Sequence, residues 1–183
     1  MTVHVVFETH SLSVDNERGI ATGWLDGTLS EDGRRLAQEL GERRRGEVDA
    51  VFTSDLGRAV ETAERAFGGA TLPIYLDARL RECNYGELNG APVERVHAER
   101  LRRIDEPYPG GESWRAALDR VDGFLDDLAA PWDGRRVLVI GHVATRWALD
   151  RRVHGCTLGE LVEDDFDWRE GWLYELGGWR RGA

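Results

Sequence analysis

The chain has 183 residues, a length that fits one domain rather than two independent ones. Hydrophobic residues make up 41% of it, which excludes a disordered chain, and its apolar runs are too short to cross a bilayer. A net charge of -10 argues against nucleic-acid and anionic-membrane partners, because binding to phosphate-rich surfaces needs a surplus of positive charge.

The first part of the chain predicts strands that alternate with helices. Residues 3–9 form a β-branched run with weak alternation, which is typical of a strand covered on both faces. A capping serine precedes a predicted helix over 31–45, whose basic end at 43–45 we expect to be solvated. A strand over 48–54 then leads into a helix over 56–67 with alanines at helical spacing.

The rest of the chain continues this alternation. The clearest helix covers 112–128, where seven apolar side chains recur at helical spacing. The other predicted elements are an edge strand at 72–76, a short helix at 92–104, a buried strand at 137–140, a helix at 144–153 and a final strand at 172–176. The order predicts an α/β three-layer sandwich with a mostly parallel sheet flanked by helices, formed by residues 1–183 as a single domain.

Polar residues follow three of the predicted strands. In open parallel sheets, ligands bind beyond the carboxyl ends of the strands. The first strand ends at Thr9 and His10, Arg58 lies one helical turn after the second, and His142 follows the strand at 137–140. Two imidazoles and a guanidinium at strand ends suit an anionic group such as a phosphoryl.

The cysteines and the remaining histidines predict no further site. Cys83 and Cys156 are the only two thiols, and the N-terminus lacks the basic and apolar regions of a signal peptide. We therefore expect a reduced, cytoplasmic protein without disulfides. His154 and Cys156 provide too few ligands for zinc, and His4 is predicted to pack inward from the first strand.

Five ordered segments resemble the histidine phosphatase superfamily, also called the phosphoglycerate mutase-like fold, over most of the chain. They are Thr9-His10-Ser11 with residues 16–33, then 53–63, 80–90, 109–113 and Gly141-His142. A single His-containing tripeptide would be weak evidence, but five motifs in order at compatible spacing are specific.

The resemblance implies a chemistry for four residues. His10 would be the nucleophile that forms a phosphohistidine, which water later hydrolyses. Arg58 and His142 would bind the phosphoryl oxygens and stabilise charge in the transition state. Glu82 would protonate the leaving alcohol and then take a proton from the attacking water. This mechanism requires no metal and no cofactor.

Further positions match family residues that contact phosphate or substrate: Thr9, Asn16, Thr22 and Gly23. The family's Arg-His-Gly signature is Thr9-His10-Ser11 here, so one phosphoryl-binding guanidinium is missing, and Arg18 is a candidate to replace it. In the mutase branch an arginine follows the acidic glutamate, where this chain has Cys83.

The combined interpretation is a metal-independent phosphomonoesterase that acts on a small phosphorylated metabolite as a monomer or homodimer. Three alternatives remain open. One is a phosphomutase of the phosphoglycerate mutase type, which would need priming by a bisphosphorylated cofactor. Another is a diverged member that binds an anionic ligand with weak or no phosphatase activity. The third is a lyase or transferase that reuses the same pocket.

Overall fold

The computed structural model describes residues 2–164 and 167–177 and contains a central five-stranded sheet. Its strands are β1 (Thr2–Thr9), β3 (Ala50–Thr53), β4 (Ile74–Leu76), β6 (Arg136–Gly141) and β7 (Trp172–Gly177). The spatial order is β4-β3-β6-β1-β7, with every neighbouring pair parallel except β1 and β7. A separate two-stranded sheet pairs β2 (Ile20–Ala21) with β5 (Ala91–Pro92). The predicted mostly parallel sheet is confirmed.

Helices cover both faces of this sheet, as the sandwich prediction requires. They are α1 (Val14–Glu17), α2 (Glu31–Arg44), α3 (Gly57–Phe67), α4 (Val93–Glu99), α5 (Trp114–Ala129), α6 (Val143–His154) and α7 (Leu158–Glu163). One core cluster joins α2 and α3 to sheet residues such as Val6 and Leu138. A larger cluster on the opposite face joins α5 and α6 to Phe7 and Val139. None of the described helices combines the length and apolar character needed to cross a membrane.

The strand register brings two chain segments to one edge of the sheet. β1 and β6 pair in parallel with Thr9 opposite Gly141. The amide of His10 then donates to the carbonyl of Gly141 at 2.9 Å, one residue beyond the strand. His10 and His142 therefore leave adjacent strands side by side.

A close approach fixes α2 against the loop that follows β1. The hydroxyl of Ser30 caps the helix by accepting from the amide of Gly33 at 3.1 Å. A Cβ atom on Gly33 would lie 1.8 Å from the carbonyl oxygen of Leu12. Only glycine fits here, and the contact holds the start of α2 beside the segment that carries His10.

The helix predicted over 92–104 ends at Glu99, so its last turn was wrong. The carbonyls of Arg103 and Ile104 instead accept from the amides of Trp114 and Arg115, at 2.9 and 3.0 Å. These amides belong to the first turn of α5 and have no partner within that helix. These hydrogen bonds hold the segment 103–104 against the start of α5, so the chain leaves the direction of α4.

Two short helices escaped prediction, although both carry capping boxes. Ser13 with Asn16 begins α1, and Thr157 with Glu160 begins α7. His4 was also predicted wrongly, because its side chain is 45% exposed and its Nδ1 lies 3.6 Å from Glu175 on β7.

Candidate active site

Three side chains that follow separate strands meet at one place: two imidazoles contact one guanidinium. The ring centroids of His10 and His142 are 5.0 Å apart. The Nε of Arg58 donates to Nε2 of His10 at 3.2 Å, and its Nη2 lies 3.3 Å from Nδ1 of His142. The structure thus brings together the two imidazoles and the arginine that the sequence placed at strand ends.

The hydrogen bonds of His10 define its tautomer. Nδ1 lies 2.7 Å from the carbonyl oxygen of Ser11, which can only accept, so Nδ1 carries the proton. Burial and the charge of Arg58 lower the pKa of His10 to about 3. The imidazole is therefore neutral near pH 7, with its lone pair on Nε2.

His142 is the N-cap residue of α6 and is buried. Because the guanidinium of Arg58 can only donate, Nδ1 of His142 accepts, and its Nε2–H donates to the hydroxyl of Ser54 at 2.8 Å. Burial, followed by the charges of Arg58 and His10, lowers the pKa of His142 well below its usual value. Both imidazoles of the pair are therefore neutral in the free protein.

Arg58 is the cation of this cluster and is only 2% exposed. Its Nη2 also donates to the carbonyl of Gly23 at 2.9 Å, and its Nη1 to the carbonyl of Leu25 at 3.4 Å. Burial lowers the pKa of Arg58, but an arginine side chain starts high enough to stay charged near pH 7. The donors of the guanidinium are shared among the two imidazoles and these two carbonyls, so one positive charge lies beside two neutral rings.

The carboxylate of Glu82 lies against the first turn of α6. It accepts from the amides of Cys83 at 2.8 Å, Ala144 at 3.1 Å and Val143 at 3.2 Å. Free amides and the positive end of the helix dipole make such a terminus a favourable place for a carboxylate. Its main-chain carbonyl is held in turn by Arg120, whose Nη2 donates at 2.7 Å.

A cavity of about 490 Å³ opens beside the two imidazoles. Its lining includes five residues that the sequence analysis singled out: Thr9, His10, Asn16, Glu82 and His142. It also includes residues that the sequence analysis missed: Glu8, Leu36, Leu40, Arg43, Val143 and Trp168.

Three residues predicted to bind phosphate or substrate lie outside this cavity lining: Arg58, Thr22 and Gly23. Thr22 is buried and donates its hydroxyl to Asp15 at 2.8 Å. Gly23 has a positive φ of 55° and presents its carbonyl to Arg58. Arg18, proposed from sequence as a replacement cation, is exposed and does not line the cavity.

The departures from the family signature have distinct surroundings. The hydroxyl of Ser11 donates to the carbonyl of Gly33 at 2.6 Å, and its amide donates to Thr62 at 2.9 Å, so a serine fits where the family has glycine. Thr9 lines the cavity, and its hydroxyl has no hydrogen-bond partner among the described residues. The short side chain leaves open the space into which an arginine would extend.

The basic end of α2 is not a solvated helix end, which corrects the sequence prediction for 43–45. The Nε and Nη2 atoms of Arg44 donate to one carboxylate oxygen of Glu8 at 3.0 and 2.9 Å. Glu8 is 3% exposed, and burial raises the pKa of its carboxyl group while Arg44 opposes that rise. Of the three arginines only Arg45 is exposed. The sequence signal was an acidic residue inside an apolar strand, which needs a buried cation.

Comparisons with known proteins agree on one family. The family model described as histidine phosphatase superfamily (branch 1) matches residues 7–169. A 2,3-bisphosphoglycerate-dependent phosphoglycerate mutase of Cytophaga hutchinsonii is 36% identical, covering 94% of this chain and 87% of the relative. Phosphoserine phosphatase 1 of Hydrogenobacter thermophilus is 31% identical over 87% and 80%. Among solved structures, Bacillus stearothermophilus YhfR superposes with a TM-score of 0.81 at 25% identity, covering 94% and 90%.

Proposed function

The chain belongs to the histidine phosphatase superfamily, and from that premise we propose that it is a metal-independent phosphomonoesterase acting through a phosphohistidine at His10. The observation that carries this proposal is a neutral His10 with its lone pair on Nε2, beside His142, Arg58 and Glu82. An unprotonated imidazole nitrogen is the form that attacks phosphorus. The relatives named as phosphatase and mutase support this reaction class.

In the first half-reaction, Nε2 of His10 attacks the phosphorus atom of a bound monoester. The bond between phosphorus and the alcohol oxygen breaks, and Glu82 passes to that oxygen the proton that the monoester monoanion brings into the site. Arg58, which donates to His10 in the free protein, would share its donors with the phosphoryl oxygens. His142 would turn its Nε2–H, which donates to Ser54 in the free protein, toward a phosphoryl oxygen.

In the second half-reaction, water attacks the phosphohistidine. The carboxylate of Glu82 takes a proton from the water as its oxygen bonds to phosphorus, and the bond between phosphorus and Nε2 breaks. Inorganic phosphate leaves and His10 returns to its neutral state. Glu82 thus serves as acid and then as base, which fits a side chain that lines the same cavity as both histidines.

A phosphomutase of the phosphoglycerate mutase type is the second candidate, and the Cytophaga relative favours it. Against it stands Cys83, which takes the place of the arginine in the mutase branch. Its thiol is fully buried, and burial raises its pKa, so it offers neither charge nor access to a substrate carboxylate. Product analysis with and without a bisphosphorylated primer separates the two: a hydrolase releases inorganic phosphate without the primer.

To test the proposed function, the protein is incubated with a panel of phosphomonoesters. Mass spectrometry then locates any acid-labile, alkali-stable phosphoryl adduct on the chain. We expect the adduct on His10 and its loss in His10→Ala. His97→Ala, on the exposed side of α4, is the matched control. Turnover that persists in His10→Ala would reject the covalent mechanism. Binding of phosphate without turnover of any ester would favour the diverged, anion-binding alternative.

A further inference from the structure

The cavity beside His10 continues away from the imidazoles along α2. The apolar part of its lining comprises Leu12, Leu36, Leu40 and Trp168, and along α2 Leu36 and Leu40 lead from the Leu12 end toward Arg43. The volume of about 490 Å³ falls within the roughly 300–1,000 Å³ typical of small-molecule pockets. A phosphoryl group at His10 would fill only a small part of it. The remaining wall favours an apolar body, because burying apolar surface is favourable in water.

Arg43 lines this apolar part and has unused donors. Its Nη2 is 3.8 Å from a carboxylate oxygen of Glu8, and its Nη1 is 3.9 Å from Glu170, both beyond hydrogen-bond distance. Its Nε is buried without a hydrogen-bond partner. The side chain as a whole is 26% exposed. The Nη1 and Nη2 atoms can therefore donate to a ligand oxyanion without giving up a hydrogen bond.

Each of the three carboxylates around Arg43 and Arg44 is paired with Arg44 or exposed to water. Glu8 is neutralised by Arg44, which donates two N–H groups to one of its carboxylate oxygens. Glu47 pairs with Arg44 on its outer side at 3.2 Å, and the carboxylate of Glu170 is exposed to water. Solvent screens Glu170 and Glu47 more than the buried groups, so Arg43 retains an attraction for anions.

We propose that this part of the cavity is a leaving-group subsite. It takes phosphomonoesters whose alcohol has an apolar body of about the size of an aromatic ring and, at its far end, an anionic group that Arg43 binds. The subsite rests on the proposed function, because His10 must hold the phosphoryl end of the same molecule. A carboxylate or a second phosphoryl group fits, since both match the planar fork of an arginine.

Binding of non-hydrolysable phosphonates tests the subsite independently of turnover. Calorimetry would compare benzylphosphonate with para-(phosphonomethyl)benzoate and para-xylylenediphosphonate, which add a distal carboxylate or phosphonate. We expect the two distal anions to bind about tenfold more tightly than benzylphosphonate, as for one charge-assisted contact. Arg43→Met should remove that preference. Arg35→Met, on the exposed face of the same helix, should retain it.

The apolar wall has its own readout. Trp168→Ala should weaken the binding of benzylphosphonate several-fold. It should leave the binding of methylphosphonate unchanged, since the smaller ligand does not reach the wall. A wild-type protein with no preference for a distal anion overturns the subsite, and so does a preference that survives in Arg43→Met. The wild-type comparison needs no variant to fold.

Turnover separates the subsite from the function on which it rests. With phenyl phosphate and para-carboxyphenyl phosphate, we expect a higher kcat/KM for the second, carried by KM and lost in Arg43→Met. If neither ester is hydrolysed while the phosphonate preference holds and depends on Arg43, the phosphomonoesterase proposal fails and the subsite stands. If both esters are hydrolysed equally well and the phosphonates bind alike, the function stands and the subsite fails.

Discussion

The free energy of unfolding of the protein should decrease between about pH 8 and pH 5, and replacing His10 with asparagine should make that decrease smaller. Burial and Arg58 hold the folded-state pKa of His10 at about 3, against about 6.5 in the unfolded chain. Between those values the unfolded state binds more protons than the folded state. Stability is therefore full above the unfolded pKa and falls as the pH drops below it.

The size of the effect follows from these two pKa values. Linkage gives a loss of about 2 kcal/mol from His10 at pH 5 relative to pH 8. His142 adds a loss of the same sign, because its pKa is also lowered. Glu8 acts in the opposite direction, since its raised pKa makes the folded state bind a proton more readily. Carboxylates with lowered pKa values, such as Asp55, lose their stabilisation only in more acidic solution.

Urea unfolding at a series of pH values measures the difference. The free energy of unfolding of the wild type should fall more steeply toward pH 5 than that of His10→Asn, by about 2 kcal/mol over the interval. Any change common to all pH values cancels, as does the contribution of Glu8, which both proteins contain. His97→Asn controls for the removal of an exposed imidazole. Parallel curves for wild type and His10→Asn would refute a neutral, desolvated His10.

Thr9→Arg should raise kcat/KM for small phosphomonoesters about 10²-fold by restoring a donor to the transition state. The same variant should weaken the binding of aryl phosphonates, because the arginine side chain enters the cavity. Equal rates for variant and wild type would show that position 9 does not contact the phosphoryl group. Arg120→Met should destabilise the protein by about 3 kcal/mol and lower kcat more than it raises KM, because Arg120 holds the main chain of Glu82. Thermal unfolding and steady-state kinetics check both effects. Gly33→Ala should destabilise by about 2 kcal/mol, whereas Gly123→Ala, with open space at its Cβ, should stabilise by about 0.5–1 kcal/mol. Urea midpoints that move in the same direction for both glycines would contradict this packing argument.

The convergence of His10, Arg58 and His142 could be predicted because it follows from topology. Parallel strands that are neighbours in a sheet end at the same edge, and residues just past those ends must meet there. The apolar runs at 3–9, 48–54 and 137–140 were strong enough to place β1, β3 and β6. Once those strands were placed, their following residues needed no further information.

The far wall of the cavity could not be predicted in the same way. It depends on which face of β1 carries Glu8 and on how far α2 lies from the strand, and neither follows from residue spacing. A run of three arginines after an amphipathic helix is typical of a solvated end. Here the buried carboxylate of Glu8 draws in Arg44, and the pairing places Arg43 at the cavity. Short helices such as α1 bury no residue and leave no hydrophobic periodicity to detect.

The loss of a guanidinium at position 9 and the presence of Arg43 in the same cavity are connected by how enzymes use binding energy. In the proposed mechanism with Thr9, the phosphoryl group would meet one buried cation, Arg58, and two imidazoles that are neutral in the free protein. Interactions with a remote part of a substrate can offset weaker contacts at the reacting centre, provided that they position the reactive end. An apolar wall that ends in an underused arginine supplies such a remote contact. On this argument, Thr9 and Arg43 should be coupled: Arg43→Met should lower kcat/KM for aryl substrates less in the Thr9→Arg background than in the wild type, and Thr9→Arg should be correspondingly more favourable in the Arg43→Met background.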